Sequence, residues 1–295
     1  MLPAHPQPHL CPHSQPKTYV AATPNDDRNI YRADQIAEQL NLPRCPHVKA
    51  PPPDAQLLLT VTHHRLELRV PPTAPDVPEE VRGGQPVAPD FAQLDTTSSA
   101  GRSLKAPLFR ALGLHKTTRD TRPPILDCTA GLLEDTWLLA AAGCPVTALE
   151  RHPVLHLLLQ DALNNADYTH PDVAARINLH HTDALDYLNS PSAYALPPTP
   201  YTLPSHILID PMFPPGRKTA ERKPLKLLRL LAGPDPDASK LLQAALHSAA
   251  SRIVVKRPRT APHLLDTPQP SHRVEGKGFR FDVYLSRAAA DASSI

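Results

Sequence analysis

Four acids stand where a chain of this pattern can do chemistry: Asp127 in "PILDC", Glu150 in "VTALE", Asp183 in "HHTDALDYL" and Asp210 in "HILIDPMFPPGRK". Each ends or closely follows a short apolar run, the pattern of a buried strand, and leads into a turn or a helical stretch. In a sheet of parallel strands the ligand lies beyond the strands' carboxyl ends, so these acids are expected at one crevice. Glu150 comes 23 positions after Asp127, and an acid about 20 residues past the first strand-to-helix turn suits ribose hydroxyls. A nucleoside-containing cofactor follows from that placement. The turn "LDCTAGLLED" carries the single glycine Gly131 in place of G-x-G-x-x-G, so it suits a ligand without a pyrophosphate. S-adenosylmethionine is therefore expected over NAD, with Asp127 and Gly131 at its turn.

Asp183 is placed to accept a hydrogen bond from an adenine amino group, and it reads equally as the N-cap of a helix over "ALDYL". The stretch "DPMF" ends the fourth strand of the series, at the switch point beside the first strand. It resembles the Asp-Pro-Pro-Tyr type motif of amino-group methyltransferases. In that reading Asp210 and the Pro211 carbonyl accept from an exocyclic NH₂, and Phe213 stacks on the base, worth roughly 1 to 3 kcal/mol. An aromatic amine is a poor nucleophile because its lone pair is delocalised, so hydrogen bonds that turn the lone pair toward a methyl group supply much of the catalysis. No metal is expected. The alternative is a proline-terminated strand with a capping Asp and a core Phe.

Residues 216 to 229, "GRKTAERKPLKLLR", hold Arg217, Lys218, Arg222, Lys223, Lys226 and Arg229 against the single acid Glu221. Beside a base-binding loop such a run is expected to engage phosphates, as are Lys256, Arg257 and Arg259 after the fifth strand and Lys277 and Arg280 beyond. A solvated face is the other reading. The formal net charge of +2 does not by itself announce a nucleic acid, so local clustering carries this expectation.

The elements that must position these residues follow from the rest of the chain. The 295 residues suffice for one large domain and an appendage, and the 38 prolines against 10 glycines cluster in connections. Residues 1 to 17 read as a disordered Pro/His-rich tail, whose prolines keep His5, His9, Cys11 and His13 from aligning around a metal. A small α/β domain with its linker is expected over 18 to 95: a strand "TYVAAT", a helix "RADQIAEQLNL" and a hairpin from "AQLLLTV" and "RLELRV" around His63 and His64. A helix "RSLKAPLFRALGL" introduces the main domain, residues 96 to 295. From residue 124 strands alternate with helical segments, implying a mostly parallel sheet, and "HRVEGKGFRFDVYLS" closes it as an antiparallel hairpin. Four cysteines without a C-x-x-C pair suit a reduced intracellular setting. Nothing resembles a secretory signal or a membrane span, so a soluble, cytoplasmic protein is expected.

The pieces "LDCTAG", "ALERHP", "IDPMFP", "VVKRP" and "KGFRFDVYL", in that order, resemble the ribosomal small subunit methyltransferase J family over roughly residues 56 to 286. Its members use S-adenosylmethionine to methylate the N2 amino group of a guanosine in 16S ribosomal RNA. The resemblance implies a class I, Rossmann-like α/β methyltransferase fold and a ribosomal RNA or small-subunit partner. It places cofactor contacts on Glu134, Asp135, Glu150, Arg151, Asp183, Ala184 and Asp210, and phosphate contacts are expected on Arg217, Lys218, Arg222, Lys223, Lys256 and Arg257. Where the family pattern reads G-L-G-R-D, this chain has Gly131, Leu132, Leu133, Glu134 and Asp135. The motif also admits methylation of another RNA, DNA or a protein amide, and the two departures admit an RNA-binding protein with impaired catalysis.

Overall fold

The computed structural model describes residues 15–96, 98, 103–190, 204–212 and 223–286. Most of the expected polar tail, and Phe213, Arg217, Lys218 and Arg222, lie outside the described residues. In chain order the elements begin with β1 (Thr18–Ala22), α1 (Asp27–Leu40), β2 (Leu57–Val61), β3 (Leu66–Arg69), α2 (Pro107–Ala111), β4 (Ile125–Asp127), α3 (Glu134–Ala141), β5 (Val146–Glu150) and α4 (Pro153–Thr169). They continue with α5 (Pro171–Ala174), β6 (Ile177–His181), α6 (Ala184–Asn189), β7 (His206–Ile209), α7 (Lys223–Ala232), α8 (Ala238–His247), β8 (Arg252–Pro258), β9 (His272–Glu275) and β10 (Phe279–Leu285). By internal packing the chain divides into two units, one of Met1–Asp90, His152–Tyr168 and Met212–Pro234, the other of Phe91–Arg151, Thr169–Pro211 and Asp235–Ile295.

In the first unit β1 pairs parallel with β2, and β2 antiparallel with β3. Helix α1 begins at Asp27, five residues before the expected "RADQ" start, because the Asp26 carboxylate caps it by accepting from Asn29 N at 3.0 Å. Ala33, Ile36 and Ala37 give it a buried face at helical spacing. Two later helices belong to this unit. Helix α4 is tied down through Asp161, whose carboxylate accepts from Leu66 N at 2.6 Å and pairs with Arg32. Helix α7 buries Leu227, Leu228 and Leu231, so the second half of the basic run is an amphipathic helix.

The second unit is built on a seven-stranded sheet of order β6-β5-β4-β7-β8-β10-β9. β6 through β8 are mutually parallel, while β10 runs antiparallel to β8 and to β9. Alternate strand residues feed two cores: Ile125, Leu208 and Val254 pack with α2 and α3, whereas Leu126, Ile207, Ile209 and Val255 pack with α6 and α8. The helix expected over 102 to 114 is the short α2 alone. Ala106 precedes Pro107 and is held extended (ψ 147), and Gly113 at φ 73 ends the turn after Leu112. Strand order reverses between β4 and β7, which makes the ends of those two strands the switch point.

Among the described residues no helix is long and apolar enough to cross a membrane, and no three His, Cys, Asp or Glu side chains are grouped to hold a metal ion.

Candidate active site

The expected acids come to the carboxyl ends of four adjacent parallel strands: Asp127 ends β4, Glu150 ends β5, Asp183 follows β6 and Asp210 follows β7. β4, β5 and β7 are apolar and buried while the residue at each end meets the turn, so a carboxylate there is the first polar group beyond the core; β6 is the half-exposed edge strand of the sheet, and Asp183 follows it after Thr182.

Asp127 is 2 % exposed and both its carboxylate oxygens serve the turn itself: Oδ1 accepts from Thr129 N at 3.1 Å and Oδ2 from Thr136 Oγ1 at 2.5 Å. Burial pushes its pKa up to about 6, against the lowering effect of the Thr136 and Thr129 hydrogen bonds. Thr129 in turn accepts, through Oγ1, the backbone N–H of Asp210 at 2.7 Å. One chain of hydrogen bonds thus runs from α3 through Asp127 and Thr129 to the residue after β7. The expected cofactor residue Asp127 holds the turn together, and its side chain is occupied in doing so.

The turn contains two left-handed residues, Gly131 at φ 58 and Leu133 at φ 61. Leu133 is the N-cap position of α3, is fully buried, and donates its N–H to Ala130 O at 2.7 Å. A branched side chain therefore occupies a conformation that favours glycine. Glu134 is exposed at the first turn of α3, and Asp135 pairs with Lys256 at 3.1 Å.

Glu150 is buried at 8 % exposure. Its neighbour Arg151 sends its guanidinium to Asp183 at 3.5 Å, to Asp237 at 2.8 Å and to Asp235. Burial opposes the charge, yet the three carboxylates outweigh it and raise the Arg151 pKa. Asp183 caps α6, its Oδ1 accepting from Leu185 N at 2.8 Å, and Ala184 is buried behind it. The capping reading of Asp183 is thus realised, and the carboxylate still lies at the strand end.

Asp210 has a side chain 36 % exposed, with Oδ2 accepting from Lys256 Nζ at 2.8 Å. Its Oδ1 receives no hydrogen bond among the described residues. Burial raises its pKa, Lys256 opposes that rise, and Asp135 adds to it. Pro211 is buried next to it.

The basic residues divide. Lys256 serves Asp210 and Asp135, with its ammonium 5.7 Å from the centre of the Phe279 ring. Arg257 is 6 % exposed and donates through Nε to Pro262 O at 3.0 Å. Arg280 is buried, paired with Asp282 at 2.8 Å and donating to the Pro258, Arg259 and Ala261 carbonyls. Both arginines brace the loop after β8, which corrects the expectation of phosphate contacts there: a buried guanidinium bound to carbonyls cannot also meet a phosphate. In the first unit Lys223 donates to the carbonyls of Gly83 and Gln85, and Lys226 pairs with Glu80 at 3.1 Å.

Thr129, Thr136, Asp235 and Asp237 were not singled out from sequence. "DCT" carried a usable signal, since an Asp two residues before a backbone N–H forms an Asx turn; Asp235 and Asp237 carried none.

The donor set suits S-adenosylmethionine: a ribose diol and an adenine amine both need acceptors, and Glu150 and Asp183 supply carboxylates at adjacent strand ends. Fold and site together define an S-adenosylmethionine-dependent methyltransferase, and residues 38–286 match the family model for SAM-dependent methyltransferases. A ribosomal RNA small subunit methyltransferase J from Pseudomonas fluorescens (strain SBW25) is 36% identical over 262 residues, covering 87% of this chain and 91% of the relative. Another, from Marinobacter nauticus, is 41% identical over 182 residues, 61% of this chain and 62% of the relative. The crystal structure of a SAM-dependent methyltransferase from Neisseria gonorrhoeae superposes with a TM-score of 0.62 at 27% identity, covering 92% of this chain and 98% of that one. The chain belongs to the ribosomal RNA small subunit methyltransferase J family.

Proposed function

We propose that this protein methylates the exocyclic N2 of a guanosine in small-subunit (16S) ribosomal RNA, acting in the cytoplasm. The observation that carries the chemistry is Asp210: one carboxylate oxygen is fixed by Lys256, its backbone is fixed by Thr129, and the other oxygen is left to accept. When bound, S-adenosylmethionine supplies a methyl group on a positively charged sulfur. Asp210 Oδ1 and the Pro211 carbonyl accept the two N–H groups of the amine and turn the nitrogen lone pair out of conjugation. With the cofactor bound, the N–C bond would form as the C–S electron pair stayed with sulfur, and the proton shed by nitrogen would leave past Asp210 to water. Glu150 holds ribose hydroxyls, Asp183 the adenine amine, and Arg151 holds Asp183 in place.

The choice of ribosomal RNA is supported by the relatives, which are named as ribosomal RNA small subunit methyltransferases. Phe213 stacking on the base, and Arg217, Lys218 and Arg222 meeting phosphates, belong to the same proposal, whereas Lys223 is left out of it because its ammonium serves the Gly83 and Gln85 carbonyls. The reading as a catalytically impaired RNA-binding protein loses its backbone argument, because Leu133 adopts the left-handed conformation that glycine would.

The test is incorporation of labelled methyl into small subunits from a strain deleted for this gene, followed by nucleoside analysis. N2-methylguanosine at one position is expected; label appearing only in protein, or in another nucleoside, would overturn the assignment.

A further inference from the structure

We propose that Lys256 is a positioning residue for methyl transfer: its ammonium keeps the Asp210 side chain a carboxylate and holds Oδ2, so that Oδ1 is the oxygen presented to the amine. This rests on the reading of Asp210 as the amine's acceptor.

The geometry comes from the sheet. Val255 on β8 pairs with Ile209 on β7, so the next residue on each strand, Lys256 and Asp210, lie side by side at the carboxyl edge. Lys256 Nζ is 2.8 Å from Asp210 Oδ2 and 3.1 Å from Asp135 Oδ2, which bridges β7 to the first turn of α3. The groups bearing on Asp210 are Lys256 from β8, Asp135 from α3, Asp127 at the end of β4 and Asp235 ahead of α8. Among the described residues Lys256 is the cation paired with Asp210, since Arg151 is engaged by Asp183, Asp235 and Asp237.

Burial first, then the nearby acids, favour a protonated Asp210, and a protonated acid donates where the amine also donates. One ammonium opposes this, lowering a pKa that burial still leaves above its ordinary value, and it does so without cancelling the site's charge: Asp135, Asp210 and Lys256 sum to a single negative charge, which suits the positive charge that develops on nitrogen as the N–C bond forms and the C–S pair moves to sulfur. The nitrogen's surplus proton then passes by way of the Asp210 carboxylate to water. Lys256 itself stays charged throughout, held so by its two carboxylates.

The test measures initial rates from pH 5 to 9 at saturating labelled S-adenosylmethionine, with small subunits from the deletion strain as substrate. Lys256→Met is expected to move the acidic limb of the profile up by about 1 to 3 pH units. Lys256→Arg should restore it to the wild-type position, and Asp135→Asn should move it down. Opposite shifts from two members of one ion pair are not what loss of folding produces. An unmoved limb in Lys256→Met, or shifts of the same sign in both variants, would overturn the proposal. Should Lys256→Met fail to bind cofactor in calorimetry, Asp135→Asn and Lys256→Arg decide, and an unmoved Asp135→Asn limb sinks it. Asp210→Ala, run alongside, separates the two readings: retained turnover defeats the role of Asp210, whereas lost turnover with an unmoved Lys256→Met limb defeats Lys256 alone.

Discussion

Leu133 is fully buried and left-handed, and the pair Leu133→Ala and Leu133→Gly separates the two contributions of that residue. Both variants delete the packed atoms beyond Cβ, a loss of roughly 3 to 5 kcal/mol for leucine to alanine in a core. They differ in the backbone. Alanine at φ 61 keeps the steric cost of the left-handed region, about 1 to 2 kcal/mol, which glycine does not feel. Glycine returns about 0.5 to 1 kcal/mol of this through the entropy of its unfolded chain. Leu133→Gly should therefore be the more stable variant by about 0.5 to 1 kcal/mol, the reverse of the usual order inside a helix. The protein's one tryptophan, Trp137, reports on this region: it is buried in α3, donates its backbone N–H to Leu133 O at 2.8 Å, and stacks on Phe91 with ring centres 4.3 Å apart. Urea unfolding followed by Trp137 fluorescence should place the glycine midpoint about 0.25 to 0.5 M above that of alanine, for a slope of about 2 kcal/mol/M. An alanine variant as stable as the glycine variant, or more so, would refute the assignment of strain to this turn.

Glu150→Ala should weaken S-adenosylmethionine binding by about 10- to 100-fold through lost hydrogen bonds to a charged acceptor, read by calorimetry; an unaltered dissociation constant would remove it from the ribose site. Thr129→Val leaves Asp210 N–H without its acceptor at a cost of about 1 to 3 kcal/mol, and should lower kcat more than cofactor affinity; a variant with wild-type kcat would show that the link is dispensable. Burial raises the folded-state pKa of Asp127 to about 6, so its proton is held more tightly folded than unfolded. The stability this confers is fully present below the unfolded value of about 3.9 and lost as pH rises through about 6. Wild type should thus lose about 2 to 3 kcal/mol relative to Asp127→Asn between pH 4 and pH 7 in urea titrations; a pH-independent difference would contradict it.

The central strands β4, β5, β7 and β8 were legible because they are short, apolar and separated by helical stretches, and the four acids because they stand at or just past strand ends. Contacts that join distant segments were not. Asp210 meets Thr129 across 81 residues and Lys256 meets Asp135 across 121, and no local pattern reports either. The basic residues misled for a related reason. Arg257 is two positions from Val255, hence on the same face of β8, and that face packs on α8, so alternation placed it inward while its charge suggested the surface. In "KPLKLLRLLA" the charges drew attention from leucines at helical spacing, which became the buried side of α7. Leu133 shows the limit of propensity: a leucine gave no warning of a left-handed turn, because burial of its side chain offsets the backbone cost.

The central claim is that the Asp210 carboxylate directs the amine toward the methyl group. The most direct measurement pairs kcat of Asp210→Ala on small subunits with its calorimetric affinity for S-adenosylmethionine. Turnover is expected to fall at least about 100-fold while affinity stays within several-fold. A variant that turns over at the wild-type rate, or one whose only defect is cofactor affinity, would contradict it.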